Sequence, residues 1–204
     1  MCARIVDKEA KRREILLAAM HVVARHGIGN VKVTNIATAA GIGKGTLYEY
    51  FPSKEAIYGA IIREYLDRAE VVAARKMALA NSPREKLAAL LSAWLETTAE
   101  ESGDFLRLFI DVWSEAIRQT SPAVAKVFDM KSYFHEYRAF VASILQEAID
   151  GGELRPIDTM VAASGLLAIF DGIMLQWLLD RDRVDVPKTI DTTLDIIWNG
   201  ISKK

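Results

Sequence analysis

Apolar positions recur at helical spacing along almost the whole chain, in runs separated by short clusters of Gly, Pro, Ser and Asp. Ile15, Ala19, Val22, Val23 and His26 form the first stripe, widened by Leu16 and Met20, and Gly27 and Gly29 predict where it stops. A tighter pattern follows. The spacing predicts one short helix from Val33 to Ala40, a glycine-marked turn from Gly41 to Gly43, and a second short helix from Lys44 to Phe51. Two brief helices joined by such a turn have the sequence shape of a helix-turn-helix, whose second helix enters the DNA major groove. Ile36, Ala37, Ala40, Ile42, Leu47 and Phe51 supply its small core, leaving Lys44, Thr46, Tyr48, Glu49 and Tyr50 outward on the second helix.

Beyond that unit the pattern stays helical. Ser53 opens a long helix carrying Ile57, Ile61, Tyr65 and Leu66 and reaching to about Ala80. Ser82, Pro83 and Glu85 predict a capped restart, with Ser as N-cap, Pro at the first helical position and Glu closing a capping box. Leu87, Leu90, Leu91, Trp94 and Leu95 mark that helix's apolar face. Gly103-Asp104 and Ser121-Pro122 punctuate again, a long stretch with a break near Asp129 runs to Asp150, and Gly151-Gly152 ends it. Asp158 can cap the next helix, and a last one lies beyond Pro187 with Ile190, Leu194, Ile197 and Ile201 on one stripe. No alternating strand pattern occurs. The expectation is an all-α fold of about nine helices of ordinary length.

Charge divides the chain. Residues 1–54 carry nine Lys/Arg against four Asp/Glu, whereas the remaining 150 carry seventeen against twenty-three. A basic head on an acidic body suits a nucleic-acid reader joined to a regulatory domain, with the boundary expected between residues 54 and 55. Lys8, Lys11, Arg12 and Arg13 can approach phosphates or simply solubilise the start of the first helix. The single Cys2 excludes an internal disulfide and a cysteine-rich zinc site. The start MCARIVDKEAKRREI is too polar for a secretory signal, so a cytoplasmic location is expected. His21, His26 and His135 are scattered, and no metal spacing, phosphate loop or nucleophile with its base is present. No enzyme, metal or cofactor is expected.

The run IATAAGIGKGTLYEYFPSKEAI resembles the DNA-binding signature of the tetracycline-repressor (TetR) family of bacterial transcriptional regulators. The combination of an Ile-Ala pair, an Ala-Gly pair, Gly-Thr-Leu-Tyr, an aromatic-Phe pair and a Lys carries the resemblance, over roughly the first quarter of the chain. Lys32 stands where that family usually has Ser or Thr as the N-cap of the first short helix. The resemblance implies base contacts from Lys44, Gly45 and Thr46 and phosphate contacts from Tyr48 and Lys54. Lys32, Thr34 and Tyr50 complete the candidate DNA-contacting set. From the chemistry of the residues, Lys44 can reach guanine edges, Thr46 a base or a thymine methyl, and Gly45 permits close backbone approach. Tyr48, Tyr50 and Lys54 can donate to phosphates. A repressor acting as a homodimer on a palindromic operator, and released by a small-molecule effector, is what the resemblance implies. The runner-up is a helical ligand-binding or adaptor protein whose helix-turn-helix is structural.

Two features of the body bear on that. Met160 to Leu179 is twenty residues long with one charge, Asp171, enough to span a bilayer by length. An acid mid-segment costs roughly 2.5–3.5 kcal/mol on insertion, and a helix apolar all round can equally be buried in an assembly. Gly165, Ala168 and Gly172 would let a second helix approach, so a dimer through the last two helices is expected rather than a membrane span. The body is also rich in aromatics, among them Phe105, Phe128 and Tyr133. Trp94, Phe109, Trp113, Phe134, Tyr137, Phe170, Met174 and Trp177 are candidates to line an effector site, with simple core as the competing role. Asp111, Glu115 and Asp171 lie within apolar runs. One of them can face a cationic or hydroxylated ligand, or each can be a hydrogen-bonded or exposed acid.

Overall fold

The structure, a computed structural model, describes residues 7–99, 103–118 and 128–203. Among the described residues there are nine helices: α1 Lys8–His26, α2 Val33–Ala39, α3 Lys44–Tyr50, α4 Lys54–Met77, α5 Pro83–Ala99, α6 Asp104–Arg118, α7 Met130–Asp150, α8 Thr159–Leu179 and α9 Val186–Ile201. The Ser121-Pro122 boundary and Cys2 lie outside the described residues. The chain forms two compact units, residues 1–66 with 101–130, and residues 67–100 with 131–204.

The first unit is built on α1. Asp7 caps it, its carboxylate accepting the Glu9 and Ala10 N–H groups at 3.0 and 3.2 Å. Ile15, Leu16, Ala19, Met20 and Val23 are buried along its inner face, while His26 and Arg25 close the exposed last turn. Gly27 ends the helix with φ 75°, a backbone conformation that suits glycine. Against α1 pack α2 and, from far along the sequence, α6. Phe105 of α6 stacks on Tyr65 of α4 with ring centroids 3.9 Å apart and planes within 2°. The first unit therefore contains one helix of the sequence's middle, not only its amino-terminal quarter.

The second unit has a core of Ala73, Leu87, Leu90, Ala93, Val141, Ile144, Leu145, Ala148, Ala163 and Leu167, drawn from the end of α4 and from α5, α7 and α8. Lys86 ties α5 to α7 through Glu147 at 2.6 Å, and Arg84 ties α5 to α9 through Asp195. Asp158 caps α8 by accepting the Met160 and Val161 N–H groups. An isolated antiparallel bridge between Leu154 and Ser202 holds the end of α9 to the α7–α8 connection.

Three boundaries differ from the sequence expectation, each for a local reason. The long α4 ends at Met77, because Leu79 and Ala80 N–H groups bond three residues back and tighten the chain into a turn. At the start of α5, Ser82 Oγ accepts the Glu85 N–H, but the Glu85 carboxylate reaches the Asn81 N–H at 2.7 Å instead of the Ser82 N–H. The reciprocal half of the box is thus displaced by one residue. The last helix begins at Val186, before Pro187, since the Asp185 carboxylate accepts the Lys188 N–H and caps it there.

Candidate nucleic-acid interface and ligand site

The helix-turn-helix is closed by backbone chemistry. Ile42 N–H bonds the Ala37 carbonyl and Gly41 N–H the Thr38 carbonyl, the paired bonds of a Schellman cap, and Gly41 takes φ 64° to allow it. Leu47, fully buried, and Phe51, 3% exposed, dock α3 on the core. That docking leaves Lys44, Gly45, Tyr48 and Glu49 exposed, with Thr46 and Tyr50 half-buried. Lys44 lies over the Tyr48 ring, 5.8 Å from its centroid, so the cation and the ring form one patch. Lys32 and Thr34 are exposed at the start of α2. Lys32 makes no side-chain cap there, for an ammonium has no lone pair to offer, and the Asn35 side chain instead accepts the Lys32 N–H at 3.0 Å.

Lys54 stands differently. Its ammonium donates to the carbonyls of Val31 at 3.2 Å and Ile28 at 3.4 Å, and its side chain is half-buried. These contacts give the lysine a structural task, holding the chain before α2. Arg12 and Lys11 are also engaged locally, Arg12 over the Phe51 ring and Lys11 with Glu14. A polar cleft of about 440 Å³ in the same unit is lined by His21, Ala24, Arg25, Asp104 and Arg107, but Asp104 is held by both His21 and Arg107.

In the second unit four rings and one acid gather from α5, α7 and α8. Trp94 meets Phe170 edge-on at 5.8 Å and 89°. Tyr133 stacks on Tyr137 at 5.8 Å and 10°. Burial pushes the Tyr133 phenol up to about 12, against a hydrogen bond from the Trp94 indole that lowers it, with Asp171 and Glu70 adding to the rise. Burial also raises Tyr137 well above the ordinary phenol range, with Tyr133 and Asp171 contributing. Both phenols therefore feel the charge of Asp171. The Tyr137 hydroxyl is shut off from solvent and has no hydrogen-bond partner among the described residues, although the rest of the residue is only half-buried. Burial alone pushes the Asp171 carboxyl up to about 6. No cationic side chain among the described residues offsets it.

The other candidates divide. Phe134 is half-buried beside Tyr133, and Met174 is buried on α8. Trp177, half-buried near the end of α8, carries the Arg181 guanidinium 4.6 Å over its ring. Phe109 belongs to the first unit, between Phe105 and Phe128 at 5.8 and 6.4 Å, and Trp113 is half-buried in that unit too. Tyr133 was not among the candidate ligand residues. Its spacing of four from Tyr137 on one helix was the available signal, and aromatic pairs at that spacing usually mean core.

The comparisons with known proteins agree with this geometry. Residues 15–61 match the family described as bacterial regulatory proteins, tetR family, and residues 83–198 match the BetI-type transcriptional repressor, C-terminal. The fatty acid metabolism regulator protein of Bacillus subtilis (strain 168) is 27% identical over 205 aligned residues, spanning 97% of this chain and 99% of that protein. A protein of Saccharomonospora viridis described as a transcriptional regulator, solved in complex with choline, superposes with a TM-score of 0.80 at 24% identity, covering 97% of this chain and all of the other. FadR from Bacillus subtilis, solved in complex with stearoyl-CoA, gives a TM-score of 0.77 at 22% identity over 93% of this chain and 98% of that one. With both segments matched and the reading helix exposed, the chain belongs to the tetR family of bacterial regulatory proteins, carries a BetI-type repressor C-terminal region, and is a DNA-binding transcriptional regulator.

Proposed function

We propose that this regulator is a homodimeric repressor that grips a palindromic operator with two α3 helices and is released when a small organic cation enters the body. Residues 1–54 carry the DNA contacts, from Lys44, Gly45, Thr46 and Tyr48 foremost, and the work is done in the cytoplasm. The observation that carries the effector class is Asp171. A buried carboxyl that is ionised at neutral pH and lacks a counter-charge is costly, and a cation supplies what it lacks. Aromatic rings beside it add cation–π attraction, the usual means of recognising quaternary ammonium groups. The unpartnered Tyr137 hydroxyl offers a hydrogen-bond donor or acceptor to a ligand hydroxyl. The relative bound to choline fits this chemistry better than the one bound to a polyanionic acyl coenzyme.

Pairing is supported by α8. Its buried stripe of Ala163, Leu167, Phe170 and Met174 faces its own unit. The opposite stripe, Val161, Gly165, Ala168, Ile169, Leu175 and Leu179, is exposed, Leu179 at 87%. So long an apolar stripe marks an interaction surface, and α9 adds Ile196, 68% exposed, beside it in sequence order. Twofold pairing would set the two α3 helices about 34–36 Å apart, or somewhat farther on a longer operator.

The effector acts only through its differential affinity for the DNA-competent and DNA-incompetent states, so operator binding must weaken effector binding by the same factor. The test uses a duplex selected from random DNA and challenges its complex with choline, tetramethylammonium or stearoyl-CoA, followed by fluorescence anisotropy. Release by the ammonium compounds, with operator weakening choline binding in return, is the expected result. Release by stearoyl-CoA alone would overturn the cationic effector.

A further inference from the structure

The turn between α1 and α2 is held from outside the helix-turn-helix. The Ile28 N–H donates to the Asp111 carboxylate on α6 at 3.2 Å. The Ile28 carbonyl accepts the Tyr58 hydroxyl at 3.0 Å and the Lys54 ammonium at 3.4 Å, both from α4. Lys54 also holds the Val31 carbonyl, one residue before the Lys32 cap of α2. Ile28 itself is buried, so these side chains satisfy main-chain groups that little water can reach. Gly27 lies beside the same carboxylate: a Cβ there would stand at an ordinary contact distance, 3.5 Å, from Asp111 Oδ2. A second tie, His21 Nδ1 to Asp104 at 2.7 Å, joins α1 to the first turn of α6. By sequence, α6 lies in the BetI-type segment, yet it folds with the amino-terminal unit.

We infer that Asp111 is a positioning residue for operator recognition, fixing the pitch of α2, and with it α3, by holding the Ile28 amide without touching DNA. The inference rests on the DNA-reading role of α3 given above. Its physical basis is leverage. Seven-residue α2 is about 10 Å long, and with the following turn the arm to α3 is roughly 20 Å, so a tilt of about 10° moves α3 by ~3 Å. Base-edge hydrogen bonds work over 2.7–3.2 Å and do not survive such a shift. Long, flexible contacts to the phosphate backbone do, and they carry no sequence information. Freeing the Ile28 amide therefore removes discrimination before it removes DNA binding. Tyr58 and Lys54 hold the carbonyl of the same residue, in the next peptide group, so the effect of Asp111 is on the angle of the turn and not on whether the head folds.

The experiment compares full-length wild type, Asp111→Ala and Asp111→Asn on two duplexes of equal length, one selected from random DNA and one scrambled, by fluorescence anisotropy. Hydrogen exchange of residues 27–32 is followed in parallel. Asp111→Ala should bind the selected duplex about tenfold or more weakly and the scrambled duplex within about twofold of wild type. Exchange at the Ile28 amide should quicken while the middle of α1 stays protected. Asp111→Asn should recover affinity to within about threefold, because an amide oxygen accepts the same N–H. Undiminished affinity of Asp111→Ala for the selected duplex, equal loss on both duplexes, or failure of Asn to rescue would each overturn the inference. A wild-type chain with no preference between the duplexes would sink the recognition role itself, and this positioning role with it.

Discussion

Asp111 and Asp171 begin alike and end apart. Each is a single acid inside an apolar run of a helix. In the first unit, Asp111 accepts a main-chain N–H and anchors the turn that leads into the reading helices. In the second, Asp171 is driven up to about 6 by burial, with no compensating charge among the described residues. The contrast extends to their neighbours. Lys54 and Tyr58 both donate to carbonyls of the turn, whereas the Tyr137 hydroxyl finds no partner among the described residues. The first unit uses Asp111, Lys54 and Tyr58 to fix a turn and keeps its recognition chemistry on the surface. The other keeps polar groups inside and unfulfilled, as a ligand site does before its ligand arrives.

The sharpest way to break this contrast is at α8. Leu175→Arg places a charge in the exposed stripe, and the protein should then sediment as a monomer with operator affinity reduced about a hundredfold, since one head makes few base contacts. Analytical ultracentrifugation alongside operator binding decides it, and a variant that still sediments as a dimer moves the pairing surface elsewhere.

Asp171→Asn comes next. Choline affinity should fall by about tenfold to a hundredfold, while urea unfolding at neutral pH reports a gain of ~1–2 kcal/mol, discounted for the carboxyl's partial exposure. The pH dependence has a definite sign. The folded carboxyl holds its proton up to about 6, above its ordinary 3.8, so wild-type stability falls as pH rises between those values and is level above them. Choline affinity should rise across pH 6, where the carboxylate forms. Asp171→Asn should show neither trend, and a variant that loses stability would mean the carboxylate has a partner.

Gly45 offers the corresponding test in the head. A Cβ there meets nothing within 4 Å, so Gly45→Ala should stabilise the free protein by ~0.5–1 kcal/mol through helix propensity. It should nonetheless weaken operator binding several-fold by keeping the backbone from the bases. Unchanged binding would mean that α3 stands off the groove at this point.

The narrowest effect, confined to one base pair, separates Lys44 from Lys54. Lys44→Ala should cost about 1–3 kcal/mol at one base pair and relax preference there. Lys54→Ala should lower stability by about 1–2 kcal/mol through two lost carbonyl bonds, leaving the salt dependence of DNA binding unchanged. A salt slope flattened by about one unit would show that its ammonium reaches a phosphate after all.

Much of this was legible from residue order. Helix stops at Gly27 and Gly152, the caps at Ser82 and Asp158, and the inward side of α3 depend on neighbours within a few residues, and local rules describe such neighbours well. The spacing of Leu47 and Phe51 decided which side of α3 is buried, and so left Lys44 and Tyr48 outward. Residue order was silent where partners are distant. That α6 would join the amino-terminal unit, that Lys54 would turn inward to Ile28 and Val31, and that Phe109 and Trp113 would fold in a different unit from Trp94 and Phe170 all depend on segments far apart in the chain.

By itself, then, the sequence determined an all-helical chain with a DNA-reading helix-turn-helix, because amphipathic spacing, glycine turns and capping residues act over a single turn of helix. Only the tertiary structure decided which half-buried acid is a strut and which is a socket. A carboxylate in an apolar run has the same local signature in both cases. Its role is set by whether a main-chain N–H some eighty residues away happens to meet it, as Ile28 meets Asp111, whereas burial alone acts on Asp171 among the described residues.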